Sequence, residues 1–219
     1  MKNCRLLFIF FAAVTLGSIG RAQPQTALGV AVGMNYNVHS GAGIPPKAAG
    51  EGVIVGGQAD IMFSKWVGLL TTVSFDNRIG KYSISGMDSG HEYTEDVDVT
   101  VAYLSIEPLF KYIIPDRPWY LVTGPCLGIP VQGKAQTVLT TPGFAVDGYE
   151  SSTINMTIEN LQPRFEWKIG AGHFVQVDKK TAITFRLTYA RGFTDVQKNV
   201  DWRVNSLTFL GSIDFTLGR

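Results

Sequence analysis

The sequence predicts an eight-stranded antiparallel transmembrane β-barrel. Eight segments alternate apolar with small or polar residues, and the connections between them are alternately short and long. Beyond the N-terminal segment, no stretch reaches the roughly 18 apolar residues that a transmembrane helix needs. A ten-stranded barrel is the alternative strand count. A water-soluble sandwich would show the same alternation, with its polar face outside.

The first element, residues 1–22, is predicted to be a secretory signal peptide. Two basic residues precede an apolar run at 6–19, and small residues occupy the −3 and −1 positions before Gln23. This is the pattern of a cleaved leader, and the apolar run is shorter than a membrane span. An uncleaved membrane anchor is the alternative. The predicted barrel domain is therefore 23–219, located in the outer membrane.

Eight predicted strands follow. In the first, Leu28, Val30 and Val32 alternate with small residues. Because successive side chains of a strand point to opposite faces, each segment has one apolar face and one small or polar face. In chain order the segments are 28–37, 53–63, 69–76, 102–112, 119–131, 164–171, 183–190 and 206–217.

The connections indicate how the strands are arranged. Short turns alternate with long links, as in outer-membrane barrels with periplasmic turns and extracellular loops. In the last long link but one, residues 138–140 and 153–158 are candidates for a hairpin above the membrane; its insertion would give ten strands. The turns are 64–66, 115–118 and 177–180, and the long links are 39–50, 83–97, 133–160 and 193–203.

Aromatic residues near the segment ends suit the interfacial girdles of such a barrel. For any one of them taken alone, an ordinary strand aromatic is the favoured interpretation. They are Tyr36, Phe63, Trp66, Tyr112, Trp119, Tyr120, Tyr189 and Trp202.

Charged residues fall on the predicted inward face. A charge facing lipid costs about 2–4 kcal/mol at the midplane, so a barrel requires these side chains inside. In a narrow barrel they are expected to pair and fill the lumen. The predicted luminal network comprises Asp60, Glu107, Lys111, Arg164, Glu166, Lys168, Arg186 and Asp214. Asp76 and Arg78 belong either to this set or to the outer rim.

Several other kinds of site find little support. With 19 basic and 18 acidic residues, nothing favours nucleic-acid binding. Once the leader is removed, Cys126 is the single cysteine, and we interpret it as a packing residue. His91 lies in an acidic loop. We favour a solvated loop there over a hydrolytic site or a cation-binding site. We therefore predict no enzyme activity, no cofactor and no metal.

Five motifs together resemble the PorT-like small outer-membrane barrel family over residues 103–219. They are YLSIEPLFKY (103–112), WYLVTGPCLGIPV (119–131), FEWKIGAG (165–172), TFRLTYARGFTDV (184–196) and SLTFLGSIDFTLGR (206–219). The resemblance implies an outer-membrane location and no shared enzyme activity. Through the namesake of the family, it also implies a link to protein secretion.

Four functional hypotheses follow. The leading one is a non-enzymatic outer-membrane barrel with a plugged lumen and long extracellular loops, in a structural or binding role. The second is a component of a protein secretion or envelope-assembly machine, and the third is a small-solute channel. The fourth is a membrane-embedded hydrolase using His91. The expected partners are outer-membrane lipid and envelope or secretion-machine proteins, with no nucleic acid.

Overall fold

The computed structural model describes residues 25–42, 44–45, 48–88, 91–142 and 149–217. The predicted signal peptide lies outside these residues. The described parts of the chain contain no helix long and apolar enough to cross a membrane. They form nine strands: β1 (Gln25–Ser40), β2 (Ala49–Met62), β3 (Val67–Asp88), β4 (His91–Ile113), β5 (Trp119–Pro142), β6 (Tyr149–Thr157), β7 (Arg164–Gln176), β8 (Thr181–Gly192) and β9 (Arg203–Leu217).

Eight of these strands close into a ring. The order is β1-β2-β3-β4-β5-β7-β8-β9, and β9 pairs antiparallel with β1. The predicted eight-stranded antiparallel barrel is therefore confirmed. Closure leaves the ring without a free edge, so its backbone N–H and C=O groups pair internally, as a bilayer requires.

The ninth strand, β6, lies outside the ring. The first half of β5 pairs with β7, from Trp119↔His173 to Gly128↔Arg164. Its second half pairs with β6, and Val138 lies opposite Thr153. The link 133–160 thus contains a hairpin, as predicted, but its pairing differs: residues 153–157 pair with 134–138, and residues 139–140 pair with 151–152. Since β6 pairs with β5 alone, the ten-stranded alternative is wrong.

The long link predicted at 83–97 is also a hairpin. The ladder between β3 and β4 continues without interruption to Asp88↔His91. Sequence alternation marks the part of a strand with an apolar outer face. Beyond that part, cross-strand pairs such as Ser83↔Asp96 are polar, so the strand continues after its pattern has ended.

The two faces of the barrel have the polarity of a membrane protein. Apolar side chains point outward and are exposed, including Val30 (67%), Ile169 (61%) and Phe75 (59%). Charged side chains point inward, and Arg78 and Lys168 are fully buried. A water-soluble sandwich has the opposite arrangement, so that alternative is wrong.

Two of the predicted girdle aromatics lie inside the barrel. Trp119 is half exposed on the outer face, and strand alternation therefore turns Tyr120 inward, where it is fully buried. Trp202 is the last residue of the link between β8 and β9 and is also buried, because it packs against residues at the end of the lumen away from the short turns.

A bulge in β5 changes which of its residues face outward. Tyr103 pairs with Pro130 and Ala102 pairs with Gln132, which leaves Val131 as an extra residue. Odd-numbered residues face outward before the bulge, and even-numbered residues face outward after it. Because proline lacks an N–H, a bulge is one of the few places within a sheet where it is tolerated.

Candidate functional site: the luminal charge network

The charged side chains inside the barrel form two clusters at different heights. The central cluster consists of Asp76, Arg78, Glu107, Arg164, Glu166, Lys168 and Arg186, all buried. The lower cluster, nearer the chain termini, consists of Asp60, Lys111 and Asp214; the Asp60 side chain is 17% exposed. All eight residues of the predicted network, together with Asp76 and Arg78, thus lie in the lumen.

Asp76 on β3 is the best-connected carboxylate. It accepts hydrogen bonds from Asn35 Nδ2 (2.7 Å), Arg78 Nη2 (2.8 Å) and Arg164 Nη2 (2.7 Å). These donors come from β1, β3 and β7, so one carboxylate joins three strands around the lumen. A buried carboxylate is costly unless it is paired and hydrogen-bonded, and Asp76 meets both conditions.

Glu107 on β4 is the second anionic centre. It accepts a hydrogen bond from Lys168 Nζ, and Arg186 Nη2 lies 3.5 Å from its Oε2. The same Arg186 nitrogen donates to Thr72 Oγ1 at 3.1 Å. Arg186 is on β8 and Thr72 is on β3, four strands away in either direction around the ring. The guanidinium therefore crosses the lumen.

Glu166 is held by charge without hydrogen bonds to protein. Its oxygens lie 3.5 Å from Arg78 Nη2 and 3.4 Å from Arg164 Nε, and neither oxygen has a hydrogen-bond partner. Cys126 Sγ lies 3.7 Å from Arg164 Nη2, and this cysteine is fully buried. Cys126 thus packs against the network, as its interpretation as a packing residue expects.

The lower cluster, together with its hydrogen-bond partners, draws its residues from β2, β4, β8 and β9. Asp214 accepts hydrogen bonds from Gln58 Nε2 (2.9 Å), from Ser212 Oγ (3.1 Å) and from Thr184 Oγ1. The Lys111 ammonium donates to Asp60. This cluster borders a cavity of about 250 Å³ at the end of the barrel where the short turns lie.

The formal charges cancel over the whole lumen. The central cluster holds four cations and three anions, whereas the lower cluster holds one cation and two anions. A low-dielectric interior favours this balance, because an uncompensated charge there carries a desolvation penalty on the order of several kcal/mol.

Apolar layers lie above and below the central cluster. Below it, Leu70, Leu109, Tyr120 and Val122 pack together. Above it, at the end of the barrel away from the short turns, lies a larger cluster of buried side chains from β4, β9 and the β8–β9 link. These are Val97, Val99, Val101, Tyr103, Val196, Trp202 and Val204.

His39 stands at the same end of the barrel, beside Trp202. Its Nδ1 accepts a hydrogen bond from Trp202 Nε1 (2.8 Å), and its Nε2 lies 3.1 Å from the Ile79 carbonyl oxygen. It lies above the apolar band, since the outward neighbours nearby are Glu51 and Arg203. Burial lowers the pKa of His39 to about 4, which keeps the ring neutral with Nε2 as the donor.

Sequence reasoning missed the neutral members of this site. Asn35 and Asn37 occupy the inward positions of β1 and bind Asp76 and Arg78, respectively. Their signal was present in the alternation of β1, where both amides stand at non-apolar positions. The His39–Trp202 contact had no local signal, because the two residues are far apart in sequence.

The predicted acidic loop around His91 contributes no described catalytic or metal geometry. The side chains of Asp88 and His91 lie outside the described part of the structure. Glu92 and Asp96 are exposed, and Asp96 accepts a hydrogen bond from Ser83. Among the residues described, no group of three or more His, Cys, Asp or Glu side chains is placed to hold a metal ion.

Comparison with known proteins finds solved structures that resemble this chain in fold. No protein-family model and no curated protein matches the chain. Ail of Yersinia pestis is 12% identical, with a TM-score of 0.40, covering 87% of this chain and 99% of its own. OprG of Pseudomonas aeruginosa is 11% identical, with a TM-score of 0.41 and coverages of 91% and 98%. The protease OmpT of Escherichia coli is 6% identical, with a TM-score of 0.32 and coverages of 89% and 96%.

These similar structures differ in their named roles, and one of them is a protease. At such identities and TM-scores, the likeness does not decide between an enzyme and a non-enzymatic barrel. The eight-stranded ring rests on the strand pairing of this chain itself. The resemblance to the PorT-like family stays a prediction from the five motifs.

Proposed function

We propose that the protein is an integral outer-membrane β-barrel with a closed lumen, acting through its extracellular hairpins in a structural or binding role. The observation that carries this proposal is the central charge cluster. It joins opposite strands across the lumen and lies between two apolar layers.

The outer face supports the membrane location. The largest apolar patch on a typical soluble monomer covers about 300–600 Å². Here outward apolar side chains are exposed on every strand of the ring, as Leu28, Val53, Leu121, Leu187 and Phe209 illustrate. Such a belt is stable in lipid and would aggregate in water.

The interior supports a closed lumen. An eight-stranded barrel is only wide enough for side chains to fill. Arg78, Lys168 and Arg186 extend into this space and end on partners from other strands. A water path would have to separate ion pairs that are almost completely buried.

The described chemistry supports a non-enzymatic role. A general base needs a free nitrogen or oxygen within reach of substrate. Both ring nitrogens of His39 are occupied, and Cys126 is buried inside the barrel wall. The parts that project beyond the apolar belt are the β3–β4 and β5–β6 hairpins, which are the surfaces available for binding.

Two measurements on the purified full-length protein test this proposal. In the first, the protein should float with phospholipid vesicles and migrate faster on gels before heating than after. In the second, planar bilayers should show no steady conductance from the wild-type protein. Recovery as a soluble, urea-extractable protein would contradict the membrane barrel, and steady single-channel conductance would favour the small-solute channel instead.

A further inference from the structure

The outer face of the barrel changes abruptly from apolar to polar on the β3–β4–β5 side. Phe75 and Leu104 pair across β3 and β4 and face outward at the top of the apolar belt. The next outward row is Asn77, Ala102 and Gln132. Two residues of a strand span about 7 Å, so this polar row stands just outside the hydrocarbon.

Above this row, the outer face of the extracellular hairpins forms a groove of about 560 Å³. This lies within the range of roughly 300–1,000 Å³ typical of ligand sites. Its rows are in register across three strands: Thr100 lies opposite Lys134, and Gln136 lies opposite both Asp98 and Asn155. The hairpin formed by β5 and β6 therefore supplies one wall of the groove.

The groove carries hydrogen-bonding groups that the protein does not use. Asn77, Gln132, Gln136 and Asn155 line it, and in the described structure none of their side-chain amides bonds to another protein group. Each amide offers both donors and acceptors. Such a surface matches a ligand with many hydroxyl groups.

The charges of the groove indicate a ligand with some negative charge. Lys81 Nζ pairs with Asp98 at 3.1 Å on the rim, and both side chains are solvent-exposed. Lys134 adds a cation with no acidic partner among the described residues. Because Lys81 pairs with Asp98, Lys134 is the cation of the groove that is left without an ion-pair partner in the described part of the chain.

We propose that this groove binds the saccharide part of an anionic glycolipid in the outer leaflet. The inference rests on the proposed membrane location, since a belt held in lipid places the groove at the level of the lipid headgroups. A sugar anchored in the membrane is already held at that height. Its binding to the amides therefore costs less translational entropy than the binding of a soluble sugar. The ligand class follows from the unpaired amides, and its anionic character follows from Lys134.

The experiment uses the full-length barrel in phospholipid nanodiscs. Three probes are compared: an anionic glycolipid with a core oligosaccharide, the same lipid without its saccharide, and the free oligosaccharide. Native mass spectrometry measures the bound probe per barrel. The test variant is Gln132→Ala/Gln136→Ala/Asn155→Ala, and the control is Gln162→Ala/Gln176→Ala/Gln197→Ala, which removes three side-chain amides outside the groove, each of which donates to a backbone carbonyl oxygen.

We expect the wild type to retain the complete glycolipid in preference to the other two probes. The groove variant should bind it at least about tenfold more weakly, since three hydrogen bonds are lost, and the control variant should bind as the wild type does. Equal binding of the saccharide-free lipid, or tighter binding of the free oligosaccharide, would overturn the proposal. Gel migration of each variant before heating reports insertion separately, so a failure of the barrel is distinguished from a failure of the groove.

Discussion

Arg186 Nη2 donates a hydrogen bond of 3.1 Å to Thr72 Oγ1, and the two residues stand on strands directly opposite each other in the ring. The arginine side chain thus spans the interior and passes within 3.5 Å of Glu107. Every strand of a barrel is hydrogen-bonded to its two neighbours, but contacts of this kind connect strands that share no ladder. These contacts across the lumen therefore contribute to the stability of the barrel.

Replacing Arg186 by alanine should destabilise the barrel by about 3–5 kcal/mol, because Glu107 would keep Lys168 alone as a cationic partner in a buried site. Equilibrium unfolding in denaturant, from lipid vesicles, measures this loss. The triple variant Glu107→Gln/Lys168→Met/Arg186→Met should recover part of it, since the carboxylate and both of its cationic partners are then removed together. Equal stability of the alanine variant and the wild type would show that the pair contributes nothing.

Replacing Phe185 by arginine should impair insertion, at a cost of about 2–4 kcal/mol for a charge facing lipid. Phe185 is outward on β8, 43% exposed, and stacks on Phe209 with ring centroids 6.3 Å apart. The control is Met87→Arg, an exposed apolar residue near the tip of the β3–β4 hairpin, which should insert normally. If both variants insert equally well, the apolar belt does not contact lipid at Phe185.

Acidification should weaken the extracellular end of the barrel through His39. Its pKa is lowered by burial to about 4, against 6.5 for an unperturbed histidine. Below pH 6.5 the unfolded chain binds a proton that the folded chain does not, so stability falls as the pH drops from about 6.5 towards 4. The loss reaches about 3 kcal/mol, and unfolding free energies measured across this range should reveal it.

The control for that measurement is His39→Gln, which removes the titrating group. The difference in unfolding free energy between the wild type and this variant should change with pH between 4 and 6.5 and be constant above 6.5. A constant difference throughout would mean that His39 titrates alike in the folded and unfolded chains.

Adding a single methyl group at Gly172 should be costly. A Cβ there would lie 2.1 Å from Cζ of Tyr120, whose ring is fully buried and lies under the Lys111 ammonium at 4.5 Å. Overpacking of this kind costs about 1–3 kcal/mol. Gly57→Ala is the matched control, because its Cβ would have no neighbour closer than 3.9 Å. Thermal unfolding should separate the two variants, and Tyr120→Leu should relieve the clash in Gly172→Ala.

The candidate site could be predicted in its members but not in its pairings. Inward positions follow from alternation within one strand, so Glu107, Arg164 and Lys168 were identified from the chain alone. One cationic partner of Asp76 is Arg164, on a strand three places away around the ring. That contact depends on the relative height of the two strands, which the stagger of the closed barrel decides.

The amino-acid sequence by itself determined the number of barrel strands and, within most of the alternating segments, which residues face outward and which face inward. These properties are local, because a strand with one side in lipid must alternate every two residues. Only the tertiary structure decided that 83–97 is a hairpin, that Tyr120 and Trp202 are buried, and that Val131 reverses the faces of β5. These depend on backbone hydrogen bonds and side-chain packing between distant segments, which leave no periodic trace in the chain.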